Sequence, residues 1–457
     1  MKKRSNKIKR TVALLLVLAL TTWVASRWDV WFGNVPEEAV EPFHVPSHVL
    51  LTPGDGDEMS RNVSWQCDTV LQPSWLLLAC DGDTTRVEAR GEVFASRNGK
   101  AAYYVTRLRQ LKPDSRYRYC AVTGDKRSPW YGFRTYPVQR DKRTFLFVGD
   151  VQDTIGGIAN RLLLEAWARH PDVEFLVCGG DLTERPANQY WAETFSTLDS
   201  IGQTLPVLNV TGNHDYLKGI VRRLERRFPL VFSYFLDSKV DDNMVYSLNY
   251  GDVQIFVLDS NREFFYLWTQ RQWLEKRLAQ SEAKWKILVL HHPLYSIKGN
   301  NNLVQRWMFD GLVRRYGVDL VLQGHEHAYA RWTGGTYKNG APAVPVYTIS
   351  HCSPKNYRIH FDERFDKFGI SSRYYQTVSA SGDTLAMATY DAYSHALYDS
   401  LMVVVAPTKA HLVTDLGKDI AENMAFTPDP NNKKDRKFAK RIQQYVNRHP
   451  ERMRTKN

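Results

Sequence analysis

Five short apolar runs in the middle of this chain each stop at a metal-ligand residue type. Phe145-Leu146-Phe147-Val148 runs into Gly149-Asp150, and Phe175-Leu176-Val177-Cys178 into Gly179-Gly180-Asp181. Val207-Leu208-Asn209-Val210 leads to Gly212-Asn213-His214-Asp215. Ile287-Leu288-Val289-Leu290 leads to His291-His292-Pro293, and Leu320-Val321-Leu322-Gln323 to Gly324-His325-Glu326-His327. Continuous apolar runs of this length suit strands buried on both faces. Helical patterns over Ile158–Arg169, Tyr190–Ile201 and Leu303–Tyr316 lie between them, so the spacing predicts an α/β sheet with crossover helices. Ligands of such sheets bind beyond the carboxyl ends of the strands. All five predicted strands end there in Asp, Asn or His.

One Asp after a strand is usually a cap or a turn residue, and one His is usually a satisfied polar group. Five strand ends that all supply ligand types are a different observation. Mixed carboxylate, amide and imidazole donors suit Fe, Zn or Mn as divalent ions. The set exceeds what one tetrahedral ion needs. It points to two divalent metal ions bridged by a carboxylate, a clamp suited to in-line displacement at phosphorus.

The N-terminus reads as an address. Lys2, Lys3, Arg4, Lys7, Lys9 and Arg10 precede the apolar run Val12 to Ala25, the pattern of a secretory signal peptide. Trp23, Trp28, Trp31 and Phe32 favour an uncleaved anchor instead, since Trp prefers a membrane interface. Residues 1–32 are therefore expected to be a signal peptide or signal anchor, and the protein to be exported. The net charge of +12 comes from the two ends. Residues 1–10 carry +6 and residues 431–457 carry +8, which leaves about −2 for the body. A near-neutral body speaks against nucleic acid as a partner. Residues 417–457 are expected to form a basic, solvated and partly helical tail.

Residues 45–137 show short alternating runs separated by Pro53-Gly54-Asp55-Gly56, Asp81-Gly82-Asp83 and Asn98-Gly99, which predicts a β-sandwich. Leu111-Lys112-Pro113 followed by Tyr117-Arg118-Tyr119 resembles the tyrosine corner of fibronectin type III domains, with Trp65 as the core aromatic. No catalytic cluster occurs there, so a packing or orienting role is expected. Export permits disulfides, and Cys67 with Cys80 is one pairing; five buried thiols is the other reading.

The ordered set Gly-Asp, Gly-Asp, Gly-Asn-His-Asp, His-x-Pro and Gly-His-x-His resembles the calcineurin-like metallophosphoesterases. The preceding sandwich makes the chain most similar to their purple acid phosphatase branch. Leu258-Asp259-Ser260-Asn261 and Gln270-Arg271-Gln272-Trp273-Leu274 agree with it. The resemblance implies a four-layer α/β/β/α sandwich over residues 141–416. It implies that Asp181 bridges both metals, that Asp150 and His327 hold the first, and that Asn213, His291 and His325 hold the second. His214 would contact the phosphate and protonate the leaving oxygen, and Asp215 would orient it. A metal-bound hydroxide would be the nucleophile and phosphomonoesters the substrate. A phosphodiesterase or nucleotide pyrophosphatase is the alternative on the same cage. A non-catalytic cell-surface binding protein is the alternative outside the enzymes.

Three positions depart from the family pattern. Gln152 stands where relatives carry a His ligand or Gly; it either ligates through its carbonyl oxygen or lines the site. Glu184 replaces the Tyr whose bond to ferric iron gives the purple colour, so a colourless, divalent pair is expected. Glu184 itself either reaches the first metal or pairs with a cation such as Arg185. Asn300-Asn301-Asn302 stands where further His residues occur in relatives. Arg358, His360, Arg373 and His395 remain as candidate phosphate contacts without a motif behind them.

Overall fold

The computed structural model describes residues 2–234, 240, 243–299 and 301–455 of the 457-residue chain; Asn300, named above, lies outside them. The helix Lys2–Ser26 carries the apolar stretch Lys9–Ser26, of mean hydropathy 1.4, none of it buried. A short helix, Trp28–Phe32, follows.

Two sheets then form the first sandwich. One runs in the order Ser47–Pro53, Arg61–Gln66, Gly99–Leu108, Arg90–Ser96, and the other in the order Asp83–Glu88, Ser74–Cys80, Arg116–Thr123, Lys126–Arg127. Trp65 is fully buried between them, and its indole N–H donates to Thr123 Oγ1 at 3.0 Å. The tyrosine corner is Tyr117, whose hydroxyl accepts from Lys112 N at 2.7 Å. Tyr119 instead donates to the carbonyl of Gln203 at 2.7 Å, outside the sandwich. Ser64 and Asn62 likewise donate to the carbonyls of Val231 and Ser233 at 2.7 and 2.6 Å. The sandwich is thus tied through buried polar bonds to the next domain. All five cysteines are free thiols, Cys67 and Cys80 included.

The second domain is built on one curled fourteen-stranded sheet. Half of it has the parallel core Val207–Asn209, Val173–Cys178, Arg143–Val148, extended by antiparallel strands from Tyr374–Ser381 to His411–Asp415. The other half has the parallel core Val253–Leu258, Trp285–Leu290, Leu320–Gln323, Pro342–Ile349. The hairpin partner Tyr246–Tyr250 edges that half. Backbone pairing joins the halves at Ala343 and Leu412, so they face each other like two sheets. Strand alternation sorts the packing. Ile255, Val257, Ile287, Val289, Leu320 and Leu322 join the first half's core. Phe256, Leu258, Leu288, Leu290 and Val321 point the other way, under the helices Phe264–Gln280 and Leu303–Arg315. Helices Ala159–Arg169 and Asn188–Leu198 pack against the first half.

The C-terminal segment departs from its expectation. Lys433–Arg448 is a helix capped by Asn432, whose side chain accepts from Lys434 N at 2.9 Å. Phe438, Ile442 and Tyr445 are buried on the core beside Phe361 and Phe368. Their i, i+4, i+7 spacing makes one apolar stripe on an otherwise cationic helix, so the segment is part of the fold and not a solvated tail.

Candidate metal centre

The two parallel cores end at the same place. Asp150, Asp181 and Asn213 follow the strands of one half; His291, His325 and His327 follow those of the other. Asp150 Oδ2 lies 2.9 Å from His327 Nε2, and Asp150 Oδ1 accepts from the backbone N–H of His325 at 2.6 Å. Asp181 Oδ2 lies 3.2 Å from His291 Nε2. Asn213 Oδ1 lies 3.1 Å from His291 Nε2 and 2.8 Å from His325 Nδ1. Among the described residues, Asp181, His291 and His325 bring one donor atom each within 4.8 Å of one another.

Glycines permit this closeness. A Cβ at Gly212 would stand 2.0 Å from Asp181 Oδ1, and one at Gly324 would stand 2.4 Å from Asp150 Oδ1. The backbone is also unusual at the site: Asp181 and His325 sit at φ of +49° and +68°, a region that non-glycine residues seldom occupy.

Carbonyls fix how the imidazoles face. His291 Nδ1 lies 2.9 Å from Gly179 O, and His327 Nδ1 lies 3.2 Å from Lys355 O. A carbonyl only accepts, so each Nδ1 carries a proton and each Nε2 faces the cluster, where its lone pair is available to a cation once that nitrogen is deprotonated. Burial opposes charge on His291, yet Asp181 and Asp150 lift its pKa to about 10. Burial would raise the Asp181 carboxyl, but His291 and His214 hold it well below the ordinary carboxylate range. The carboxylates therefore demand cations at this point. The donor set is one that divalent ions of the Fe, Zn or Mn type accept.

His214 lies at the rim. Its backbone N–H donates to Asp181 Oδ1 at 2.7 Å, and its Nε2 is 3.8 Å from Asp181 Oδ2. Its Nδ1 lies 2.5 Å from the carbonyl of Glu184. Asp215 does not touch the ring: its Oδ2 accepts from Gly212 N at 2.7 Å and closes the turn. The orienting group expected in Asp215 is thus the Glu184 carbonyl. The Glu184 carboxylate itself bonds Lys355 Nζ at 2.5 Å, which realises the ion-pair alternative with a cation far off in sequence. Gln152 is buried, at φ +45°, and its Nε2 has no hydrogen-bond partner.

His292 bonds Ser260 at 3.1 Å and lies against the His325 ring. Burial and the neighbouring His291 push its pKa down to about 3, so it is a neutral support. The four unmotivated candidates each hold another partner. Arg358 pairs with Asp435 and Arg373 with Asp153, while His395 pairs with Glu165 and His360 accepts from Arg441.

Two residues escaped the sequence reading. His351 follows the strand Pro342–Ile349, is bridged through its backbone to Asp150, and stacks on His327. The run Val346-Tyr347-Thr348-Ile349 ahead of it carried the same signal as the other five. Tyr357 covers His327 face to face at 4.2 Å; no spacing marked it.

Comparison with known proteins agrees with this geometry. Residues 143–329 match the calcineurin-like phosphoesterase family, and residues 46–135 match the purple acid phosphatase N-terminal domain. Purple acid phosphatase 21 of Arabidopsis thaliana is 26% identical over 52% of this chain and 55% of its own length. The Fe(3+)-Zn(2+) purple acid phosphatase 12 of the same plant is 24% identical over 63% of this chain and 65% of its own. The chain spans about half the length of the first of these relatives. The purple acid phosphatase PPD1 from yellow lupin (Lupinus luteus) seeds shares the fold, with a TM-score of 0.66 and 17% identity over 79% of this chain and 74% of the lupin chain. With both modules in that order and the donors gathered where the two halves of the sheet meet, the chain carries a calcineurin-like phosphoesterase domain behind a purple acid phosphatase N-terminal domain.

Proposed function

We propose that this protein is an exported, dinuclear metal-dependent phosphoesterase that hydrolyses phosphomonoesters. The convergence of Asp150, Asp181, Asn213, His291, His325 and His327 from both halves of the sheet carries this reading. Two divalent ions bound there supply Lewis acidity, which activates water and offsets charge on the phosphoryl group. Asp181, whose Oδ2 lies 3.2 Å from His291 Nε2 and whose Oδ1 accepts from the backbone N–H of His214, would be the carboxylate shared by the two ions. Asp150 and His327 form one side of the cage; Asn213, His291 and His325 form the other. Gln152 lines the site.

His214 acts on the substrate. Its Nδ1 proton is committed to the Glu184 carbonyl, so the proton that the ring gains or loses sits on Nε2, the atom facing Asp181. From there it reaches a leaving oxygen above the cage. Export is supported by the exposed apolar helix behind its basic flank. Hydrolysis of p-nitrophenyl phosphate and of bis(p-nitrophenyl) phosphate by the metal-loaded chain tests the assignment. Preferred monoester turnover supports it, and preferred diester turnover replaces it with a phosphodiesterase.

A further inference from the structure

The cleft beside His214 has a second half that the metal cage does not use. A cavity of about 190 Å³ adjoins Asn213 and His214, and its lining includes Arg97, Arg185, Lys218 and Arg222 but no Asp or Glu. These cations come from three places: the first sandwich, the segment after Asp181, and the loop after the Asn213–Asp215 turn. Arg185 and Arg222 form no ion pair and no side-chain hydrogen bond among the described residues. Three buried or partly buried arginines are, by contrast, matched to carboxylates: Arg140 with Glu58 and Glu174, Arg373 with Asp153, Arg331 with three aspartates. Two guanidinium groups without a carboxylate, beside a catalytic cage, make an anion-binding wall.

The outer side of the cavity is the segment that follows the N-terminal helices. Asn34 pairs with the Lys218 backbone in both directions, donating to its carbonyl at 3.0 Å and accepting from its N–H at 2.8 Å. Lys218 Nζ donates to Val30 O at 3.1 Å, and Arg97 donates to Val35 O at 2.6 Å. Trp31 and Asn34 are thereby held across the cleft from His214. This segment is built into the site and is not a loose tether.

We propose that the cationic half of the cleft is a second anion subsite, so that the substrate carries a further phosphate adjoining the scissile one, with Trp31, Asn34 and Val35 as its outer wall. The inference rests on the phosphoesterase reading and names its substrate class. The scissile phosphate lies over the cage, next to His214. The second phosphate lies between Arg185 and Arg222, and takes bidentate donation from their planar forks.

The test compares two inhibitors of p-nitrophenyl phosphate hydrolysis by the full, metal-loaded chain: methylphosphonate, with one phosphonate, and methylenebisphosphonate, with two. Titration calorimetry of both on the same protein gives their affinities without turnover. In the double variant Arg185→Gln/Arg222→Gln, bisphosphonate affinity is expected to fall at least tenfold, while methylphosphonate affinity stays within about twofold. Asn34→Ala, which loosens the wall but keeps every cation, is expected to weaken the bisphosphonate alone, by a smaller factor. Equal weakening of both inhibitors, or of neither, overturns the second subsite. Absence of p-nitrophenyl phosphate turnover in the wild type refutes the phosphoesterase reading instead, and the calorimetric comparison still decides the subsite.

Discussion

His214 points its Nδ1 at the carbonyl of Glu184, 2.5 Å away. This bond turns the ring so that Nε2 faces Asp181, and it draws on no ionisable group. A backbone acceptor holds the tautomer without adding charge to a site already rich in carboxylates.

Two substitutions separate the ring from its neighbour in sequence. His214→Ala removes the proton donor but no cage residue, so kcat is expected to fall by about 10²- to 10⁴-fold with metal content unchanged. Asp215→Asn keeps an acceptor for Gly212 N and leaves His214 on Glu184. Its kcat is expected to stay within about threefold of wild type, under about 1 kcal/mol of barrier. Steady-state kinetics with metal analysis on both variants checks this. A large loss in Asp215→Asn would show that the carboxylate orients the ring after all.

The fully buried Arg331 holds the second domain together. Its guanidinium bonds Asp399 at 2.7 Å and Asp415 at 2.7 Å, and reaches Asp366 at 3.2 Å. Replacing it with Met leaves Asp399 buried without its counter-ion. The expected cost is about 3–5 kcal/mol, the range for breaking one side of a buried pair. Denaturant unfolding of the full chain measures it, and a loss below about 1 kcal/mol would show that solvent reaches the aspartates.

A pH-sensitive contact lies where the sandwich meets the catalytic domain. The His48 ring stacks on Phe195 at 3.8 Å. Burial pushes its pKa down to about 4, with the Arg227 charge adding to this against a hydrogen bond to Gln66. Between pH 4 and about 6.5 the unfolded chain then binds more protons at this position than the folded one. The contribution is present above about pH 6.5 and is lost as pH falls toward 4. His48→Asn, which tolerates the φ of +51° there, removes the titration. Thermal melts are expected to fall more steeply from pH 6.5 to 4 in the wild type than in the variant; parallel slopes would contradict this.

Glu184 bears on colour. It stands where the purple enzymes carry Tyr, and its carboxylate is taken by Lys355. No phenolate is therefore supplied from this position to a ferric ion. The purified, iron-loaded protein is expected to lack a strong visible band, and an intense absorption near the purple range would contradict the assignment.

Much of the site was legible because it rests on local signals. Each donor follows a buried strand, and the rule that ligands gather at strand ends brings Asp150, Asp181, Asn213, His291 and His325 together without any knowledge of long-range contacts. His351 follows the same rule at the end of the strand Pro342–Ile349. Other features depend on contacts that no spacing encodes. Glu184 meets Lys355, 171 residues away, and a main-chain carbonyl orients His214, where sequence patterns show only side chains. The C-terminal helix was hidden by charge: the ten cations of residues 431–457 outweighed the apolar stripe of Phe438, Ile442 and Tyr445. Trp31 read as part of an address ending at residue 32, yet Asn34 and Arg97 fasten the segment that follows it beside the cage.

The central claim is a two-metal cage bridged by Asp181. Metal content of the full chain by mass spectrometry, measured alongside p-nitrophenyl phosphate turnover for wild type and Asp181→Ala, tests it most directly. The account predicts about two divalent ions per wild-type chain with turnover, and loss of both metal and activity in the variant. A wild type that stays metal-free and inactive after supply of Mn, Zn or Fe would contradict it and mark a protein that binds without cutting.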